Sequence, residues 1–303
     1  MRVLVAALYT KGDVKEGGSS FFMKCIVDTM KEMGHSVTVA GLLSDKGSFE
    51  AAITQEYDLV ICSHREVLSK LGSISAIKVC ISQGLVESET FVKGADLYYS
   101  ISEEAKINNR DNFGIDSDIL PQPITFPKAS PPSINSELKN ILIIRRYPLV
   151  NPEPFQVLFD KYCVRISDQG KPIEGQIEWA DLCVTLGRGA LEAMARGRTV
   201  LVADKRHYMG PLGDGYLNKD SLAEILKNNI SGRRYRYEIT DEWLLEEVAK
   251  YDPSDSFFLR NHIRVSNEAH LVVSKIIRDA YPYLLDKNVD LSSFLDYRRD
   301  KDV

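Results

Sequence analysis

The strongest constraint on this chain is a pattern that runs twice, in which short apolar runs alternate with segments of helical period. In the first pass the runs are "RVLVAAL" (2–8), "SVTVAGL" (36–42), "DLVICS" (58–63), "AIKVCIS" (76–82) and "DLYYSIS" (96–102), with helix-period stretches such as "SSFFMKCIVDTMKEMG" between them. Runs this continuously apolar suit strands buried on both faces, and buried strands alternating with helices require a parallel sheet with crossover helices. Gly34 ends the first helix pattern, and "HSVTVAG" then starts the next strand.

At residue 121 the pattern gives way to "PQPITFPKASPPSINSELKN", which holds five prolines and little periodicity and reads as a linker. Alternation then resumes with "NILIIRR", "KYCVRIS", "DLCVTL" and "TVLVAD", and from Thr240 onward the period is mainly helical. The 303 residues therefore divide into an N-terminal α/β domain over 1–125 and a second α/β domain over 126–280, each Rossmann-like, followed by a charged segment over 281–303. Two such domains leave a cleft, and open parallel sheets take ligands at the carboxyl ends of their strands. The function is expected there.

Charge narrows the partners. Residues 1–125 carry 12 Lys and Arg against 17 Asp and Glu, and the remainder is balanced, so neither a nucleic acid nor an anionic membrane surface is an expected partner. No apolar run approaches the ~20 residues of a membrane span, and the N-terminus reads as a first strand rather than a signal peptide. Five cysteines stand singly in apolar segments, without metal-ligand spacing. They read as buried reduced thiols of a cytoplasmic protein.

The segment "LGRGALEAMARG" (186–197) carries the chemistry. Gly187 and Gly189 precede a helix as in a dinucleotide fingerprint, but Glu192 stands where the third glycine belongs and the motif comes late in its domain, which argues against a nicotinamide or flavin site. A phosphate at the helix N-terminus, approached by the Gly187 and Gly189 amides, fits better. Glu192 then has two readings: it reaches past the phosphates to a pair of ribose hydroxyls, or it complements the helix dipole.

"ADLCVTLGRGALEAMARGRTVLVAD" resembles the donor-binding segment of retaining glycosyltransferases of the GT-B fold, the family-4 type, and is nearest to a short subgroup with "GRGALEAMA" at this place. The likeness extends to "GGSSFFMKCIVDTMKEMGHSVTVAG", similar to the family's glycine loop and first helix, and to "ADLYYSISEEAKINNRDNFGIDSDILPQPI", similar to its linker entry. The resemblance implies that Gly187 is the phosphate-loop glycine, that Glu192 binds ribose, and that Arg146, at the end of "ILIIRRY", is the phosphate-binding arginine. The sequence departs from the family where Val184 replaces a glutamate eight positions before Glu192, where no lysine follows Arg146, and where Gln83 stands near the family's N-terminal histidine. Arg188 is the substitute for the missing lysine. By the same resemblance, the segment from 281 returns to the N-terminal domain.

The implied reaction transfers a hexose, with UDP-glucose or another UDP-hexose as first choice, to a glycan or other hydroxyl acceptor with retention of configuration. No cofactor or metal is required. Departing diphosphate would be stabilised by Arg146, Arg188 and the helix amides, and the protein would act as a monomer. "DSD" at 116–118 imitates a metal-binding DxD but reads as a solvated loop. Gly17, Gly18 and Ser19 form a permissive loop after the first strand, and His64 ends "DLVICSH" at the cleft edge. "GRRYRYE" (232–238) reads as a solvated face or an anion contact. The rival readings are a sugar-nucleotide epimerase of similar fold and a non-catalytic sugar-nucleotide or glycan-binding protein.

Overall fold

The first set of apolar runs forms one sheet and the second set another. A computed structural model describes residues 1–9, 18–44, 46–145, 155–168, 172–206 and 210–286. The chain divides into two units, Met1–Pro123 together with the residues from Ala269, and Ile124–Glu268.

The first unit contains β1 (Arg2–Ala7), α1 (Gly18–Glu32), β2 (Ser36–Gly41), α2 (Lys46–Ala52), β3 (Leu59–Ser63), α3 (Arg65–Lys70), β4 (Ile77–Ser82), β5 (Leu97–Ser100), α4 (Glu103–Phe113) and β6 (Asp118–Ile119). Its six strands are all parallel, in the order β2-β1-β3-β4-β5-β6. Alternation along β1 sends Val3 and Val5 to one face and Leu4 and Ala6 to the other, so a separate core forms on each side. One core contains a helix from the far end of the chain. Val272, Val273, Ile276, Ile277, Ala280 and Leu284 of α11 (Ala269–Asp286) share it with Ile26 and Met30 of α1. The expected boundary at 280 is therefore corrected to 268, because the apolar stripe of α11 is buried against the first sheet. Of the segment 281–303, residues 287–303 lie outside the described residues.

The second unit contains β7 (Asn140–Ile143), α5 (Gln156–Lys161), β8 (Cys163–Ile166), α6 (Ile173–Trp179), β9 (Leu182–Thr185), α7 (Arg188–Ala195), β10 (Thr199–Arg206), β11 (Gly210–Tyr216), α8 (Leu222–Leu226), β12 (Tyr237–Glu238), α9 (Asp241–Val248) and α10 (Pro253–Asn267). Its strand order is β12-β11-β10-β9-β7-β8; β8, β7, β9 and β10 are parallel, while β11 and β12 are antiparallel additions at one edge. The proline-rich segment is anchored to this unit. The buried guanidinium of Arg198 donates to the Pro132 and Ser133 carbonyls, and the Asp181 carboxylate accepts from the amides of Asn135, Lys139 and Asn140.

Four of the cysteines are buried, but Cys163 is exposed, contrary to expectation, because β8 is an edge strand with little covering its outer side. Among the described residues, no helix is long and apolar enough to cross a membrane.

Candidate functional site

In the second sheet the chain runs from β7 to β8 on one side and then returns to β9 on the other. Where strand order reverses in this way, the loops leaving adjacent carboxyl ends diverge and a ligand crevice opens. The ends concerned are Ile144–Arg145 after β7 and Leu186–Gly187 after β9. Gly187 caps α7 with φ 55° and ψ −124°, a conformation that residues with a Cβ rarely adopt. Gly189 is required for a different reason. A Cβ there would come within 2.5 Å of Thr185 Oγ1 and 3.5 Å of Ile144 Cγ2, so the first turn of α7 lies directly on both strand ends.

The amides of this turn are partly committed. Gly187 N–H donates to the Ile230 carbonyl at 2.7 Å, which corrects the expectation that it points at an anion; a turn after α8 has taken it. Ala190 and Leu191 donate to the Gly187 carbonyl. The turn that receives Gly187 is itself unusual, since Asn229 and Ile230 have φ of 56° and 50°. For a β-branched residue such as Ile230 this is strained backbone, of the kind concentrated at functional sites. The next residue, Ser231, is buried, and its hydroxyl has no hydrogen-bond partner among the described residues.

On α7 the two charged candidates meet. Arg188 Nε lies 2.9 Å from Glu192 Oε1, one turn away, with side chains only 13% and 21% exposed. The guanidinium neutralises the carboxylate that the sequence places near a phosphate site. A second ion pair lies along the same sheet edge: Arg145 Nε is 3.3 Å from Asp204 Oδ1, and the Arg145 amide donates to Ser167 Oγ. Sequence reasoning missed both members of this pair. The signal was a basic doublet at the end of "ILIIRR" and an acid at the end of "TVLVAD", which the sheet order brings together. Arg146 itself falls in 146–154, outside the described residues.

Beyond Ser231, the arginine-rich loop is organised by the buried Asp214. Its carboxylate accepts the Tyr235 amide at 2.8 Å, and the amides of Gly232, Arg234 and Arg236 favour its charged form. Burial raises its pKa, and the amides oppose that shift. Arg234 pairs with Glu224.

The remaining expected site residues belong to the first unit. His64 follows β3 beside that sheet's own reversal at β1; it is buried, has φ 77°, and holds Nδ1 2.9 Å from Ser63 Oγ. Burial lowers its pKa, against smaller raising effects of Ser63 and Glu66, which favours the neutral imidazole. After β4 stands Gln83, whose buried Nε2 has no partner among the described residues. Gly18 and Ser19 form the first turn of α1 rather than a loop, since the apolar stripe through Phe22, Ile26 and Met30 extends the helix back to them. Ser19 Oγ donates to Glu89 Oε1 at 3.4 Å, and Gly17 lies outside the described residues. Asp116 and Asp118 are exposed, with Asp116 paired to Lys106. Among the described residues no His, Cys, Asp and Glu cluster has the form of a metal site.

No family model matches the sequence, and no curated protein matches it. Solved structures do match its fold. The glycotransferase of kitacinnamycin is 12% identical, with 91% of this chain and 98% of that one covered at a TM-score of 0.52. CalG4, the calicheamicin glycosyltransferase, is 11% identical over 92% and 98%, at 0.52. A structure described as trehalose-6-phosphate from E. coli bound with UDP-2-fluoro glucose is 10% identical over 92% and 98%, at 0.54. At these identities the likeness is one of fold: two Rossmann-like α/β units, the architecture of GT-B glycosyltransferases.

Proposed function

We propose that the chain is a glycosyltransferase that binds a nucleoside diphosphate sugar on its second unit. The observation that carries this reading is the first turn of α7, where a helix N-terminus at the strand-order reversal holds Arg188 and Glu192 side by side. One Glu192 oxygen takes the Arg188 bond, and a carboxylate has acceptor capacity beyond that for two ribose hydroxyls. Helix amides and arginine favour the diphosphate. UDP is the first choice of nucleotide, with glucose as the sugar, supported by the fold shared with a structure bound with UDP-2-fluoro glucose.

In the reaction the bond between the sugar C1 and the diphosphate oxygen breaks, and an acceptor hydroxyl oxygen attaches to C1 from the face the diphosphate leaves, retaining configuration. The hydroxyl proton passes to the departing diphosphate. Arg146, Arg188 and the α7 amides stabilise its negative charge without a metal, a form of preorganised electrostatics worth ~3 kcal/mol per well-placed group. On the first unit, we assign His64 to the acceptor or donor sugar, and Gly17, Gly18 and Ser19 to close approach near the donor phosphate or acceptor. The buried thiols of Cys62, Cys80 and Cys183 suit a reducing compartment, which supports a cytoplasmic location, and we assign the reaction to a monomer.

The test is UDP release from UDP-glucose in excess chelator, with and without mixed oligosaccharides. Release that the oligosaccharides accelerate is the expected result. A complete loss of activity that only magnesium or manganese restores would remove the metal-free mechanism, and failure to bind or turn over any nucleotide sugar would remove the transferase reading.

A further inference from the structure

The arginine-rich loop ends in a row of aromatic rings that the donor site does not use. Tyr235 and Tyr237 are 41% and 46% exposed, their ring centroids are 5.6 Å apart and their planes lie within 27°. Trp243, from the first turn of α9, continues the row 6.1 Å from Tyr237 at 40°. The two tyrosines offer exposed ring surface to a partner, backed by the half-buried Trp243, which packs over Gly213.

The row is held in place from beneath. Asp214 accepts the Tyr235 amide, and the next residue, Arg236, stands between the two tyrosines in sequence with φ 61°, a strained conformation. Tyr237 is also paired to Gly213 in the ladder of β11 and β12. At its other end the same loop begins at Ile230 and Ser231, so it is continuous with the turn that takes the Gly187 amide.

The charge around the rings selects the partner. Over 233–242 three arginines face three acids, Glu238, Asp241 and Glu242, and Arg234 is already paired with Glu224. A nucleic acid or acidic polysaccharide needs a basic track beside its stacking platform, and this surface is balanced. What matches flat, exposed aromatic faces without net charge is a ring with a C–H face and hydroxyl edges. We propose that Tyr235, Tyr237 and Trp243 form a binding platform for an uncharged oligosaccharide, and hence that the acceptor is a glycan chain held beside the donor loop; the second clause rests on the transferase reading above.

The test uses the full chain with Trp179→Phe, which leaves Trp243 as the single tryptophan. Its emission is titrated with maltohexaose, cellohexaose and chitohexaose, calorimetry is run in parallel, and UDP affinity is measured separately. At least one hexasaccharide should saturate, Tyr237→Ala should weaken it roughly two- to tenfold, and UDP affinity should stay within about twofold. Both tyrosines are surface residues, so an unchanged urea midpoint for the variant will separate lost binding from lost folding. The platform is overturned if none of the three binds by either method, if binding is indifferent to both Tyr235→Ala and Tyr237→Ala, or if only an oligothymidylate or heparin fragment binds. Hexasaccharide binding without UDP binding would sink the transferase reading and leave the platform standing.

Discussion

Glu192 combines two demands on one carboxylate. Its pairing with Arg188 keeps net charge low beside the proposed phosphate site, and its remaining acceptor capacity is the proposed ribose contact. A hydrogen bond to a charged group is worth roughly 1.5 to 3 kcal/mol, so Glu192→Ala should weaken UDP binding by about 10- to 150-fold. Calorimetry with 2′-deoxy and 3′-deoxy UDP separates the contact from general charge effects: the wild type should lose affinity on either deletion and the variant should not, since the two removals share one interaction. Equal losses in both proteins would take the ribose away from Glu192. His35 gives a second residue-scale expectation. It is buried with no partner on either ring nitrogen among the described residues, and burial, with a smaller contribution from the chain's amino terminus, lowers its pKa to about 4. The folded value lies below the unfolded value of 6.5, so between these limits the unfolded chain takes up a proton that the native chain refuses. Stability should therefore fall as pH drops from about 6.5 to 4, by at most roughly 3 kcal/mol from this group, with no further loss from it below. His35→Phe should flatten that part of a urea-derived stability profile, and an unchanged slope would assign the acid sensitivity elsewhere. Residues such as Glu192 were legible because motif and partner sit within one helical turn. Asp204 was not, because its partner Arg145 is set by strand order, which no local spacing encodes.

At the scale of elements, the beginning of α7 shows why two glycines precede this helix. The sequence suggested that both admit an anion, whereas the structure gives Gly187 a conformation and Gly189 a contact. Gly189→Ala drives a methyl group into Thr185 Oγ1 at 2.5 Å, an overpacking expected to cost about 1 to 3 kcal/mol and to lift the helix from β9. The same analysis predicts a rescue. With Thr185→Ala the nearest remaining atoms at that position are the residue-185 Cβ at 3.6 Å and Ile144 Cγ2 at 3.5 Å, both ordinary contacts. The double variant should recover most of the urea midpoint lost by Gly189→Ala alone; if it is no more stable than the single variant, the contact with Thr185 is not what requires glycine. Strands and crossover helices were readable because buried runs and helical period are local signals. The antiparallel pair β10 and β11 was not, since "TVLVAD" looks the same whether its next neighbour runs parallel or back. Nor did the sequence place Gly18 in α1, because glycine disfavours helix and only the packing of Phe22 and Ile26 beyond it extends the helix back.

On the scale of the whole molecule, the division of the chain depends on a helix whose sequence neighbours belong to the other unit. α10 ends at Asn267 in the second unit, and α11 starts at Ala269 in the first, so the single residue Glu268 separates two helices that belong to different cores. Periodicity identifies α11 as a helix with one apolar stripe. It cannot identify the sheet that covers the stripe, and the expected boundary at 280 therefore fell inside α11. The consequence is testable at Ile276, which is fully buried among residues of β1, β3, β4 and α1. Truncation of such a side chain costs about 2 to 5 kcal/mol, through lost transfer energy and the cavity left behind. In Ile276→Ala that cost should appear as faster hydrogen exchange in Val3–Ala7, Leu59–Ser63 and the buried stripe of α1, although these lie more than two hundred residues away in sequence. Exchange in β7, β9 and β10 should change little, because none of their side chains belongs to that core. UDP supplies the complementary measurement: it should slow exchange around Gly187–Glu192 and Asn229–Ser231 in wild type and variant alike, since mass action stabilises what the ligand touches. If Ile276→Ala instead loosened β7 and β9 and left β1 protected, α11 would be packed on the wrong sheet, and the assignment of this helix to the first unit would fail.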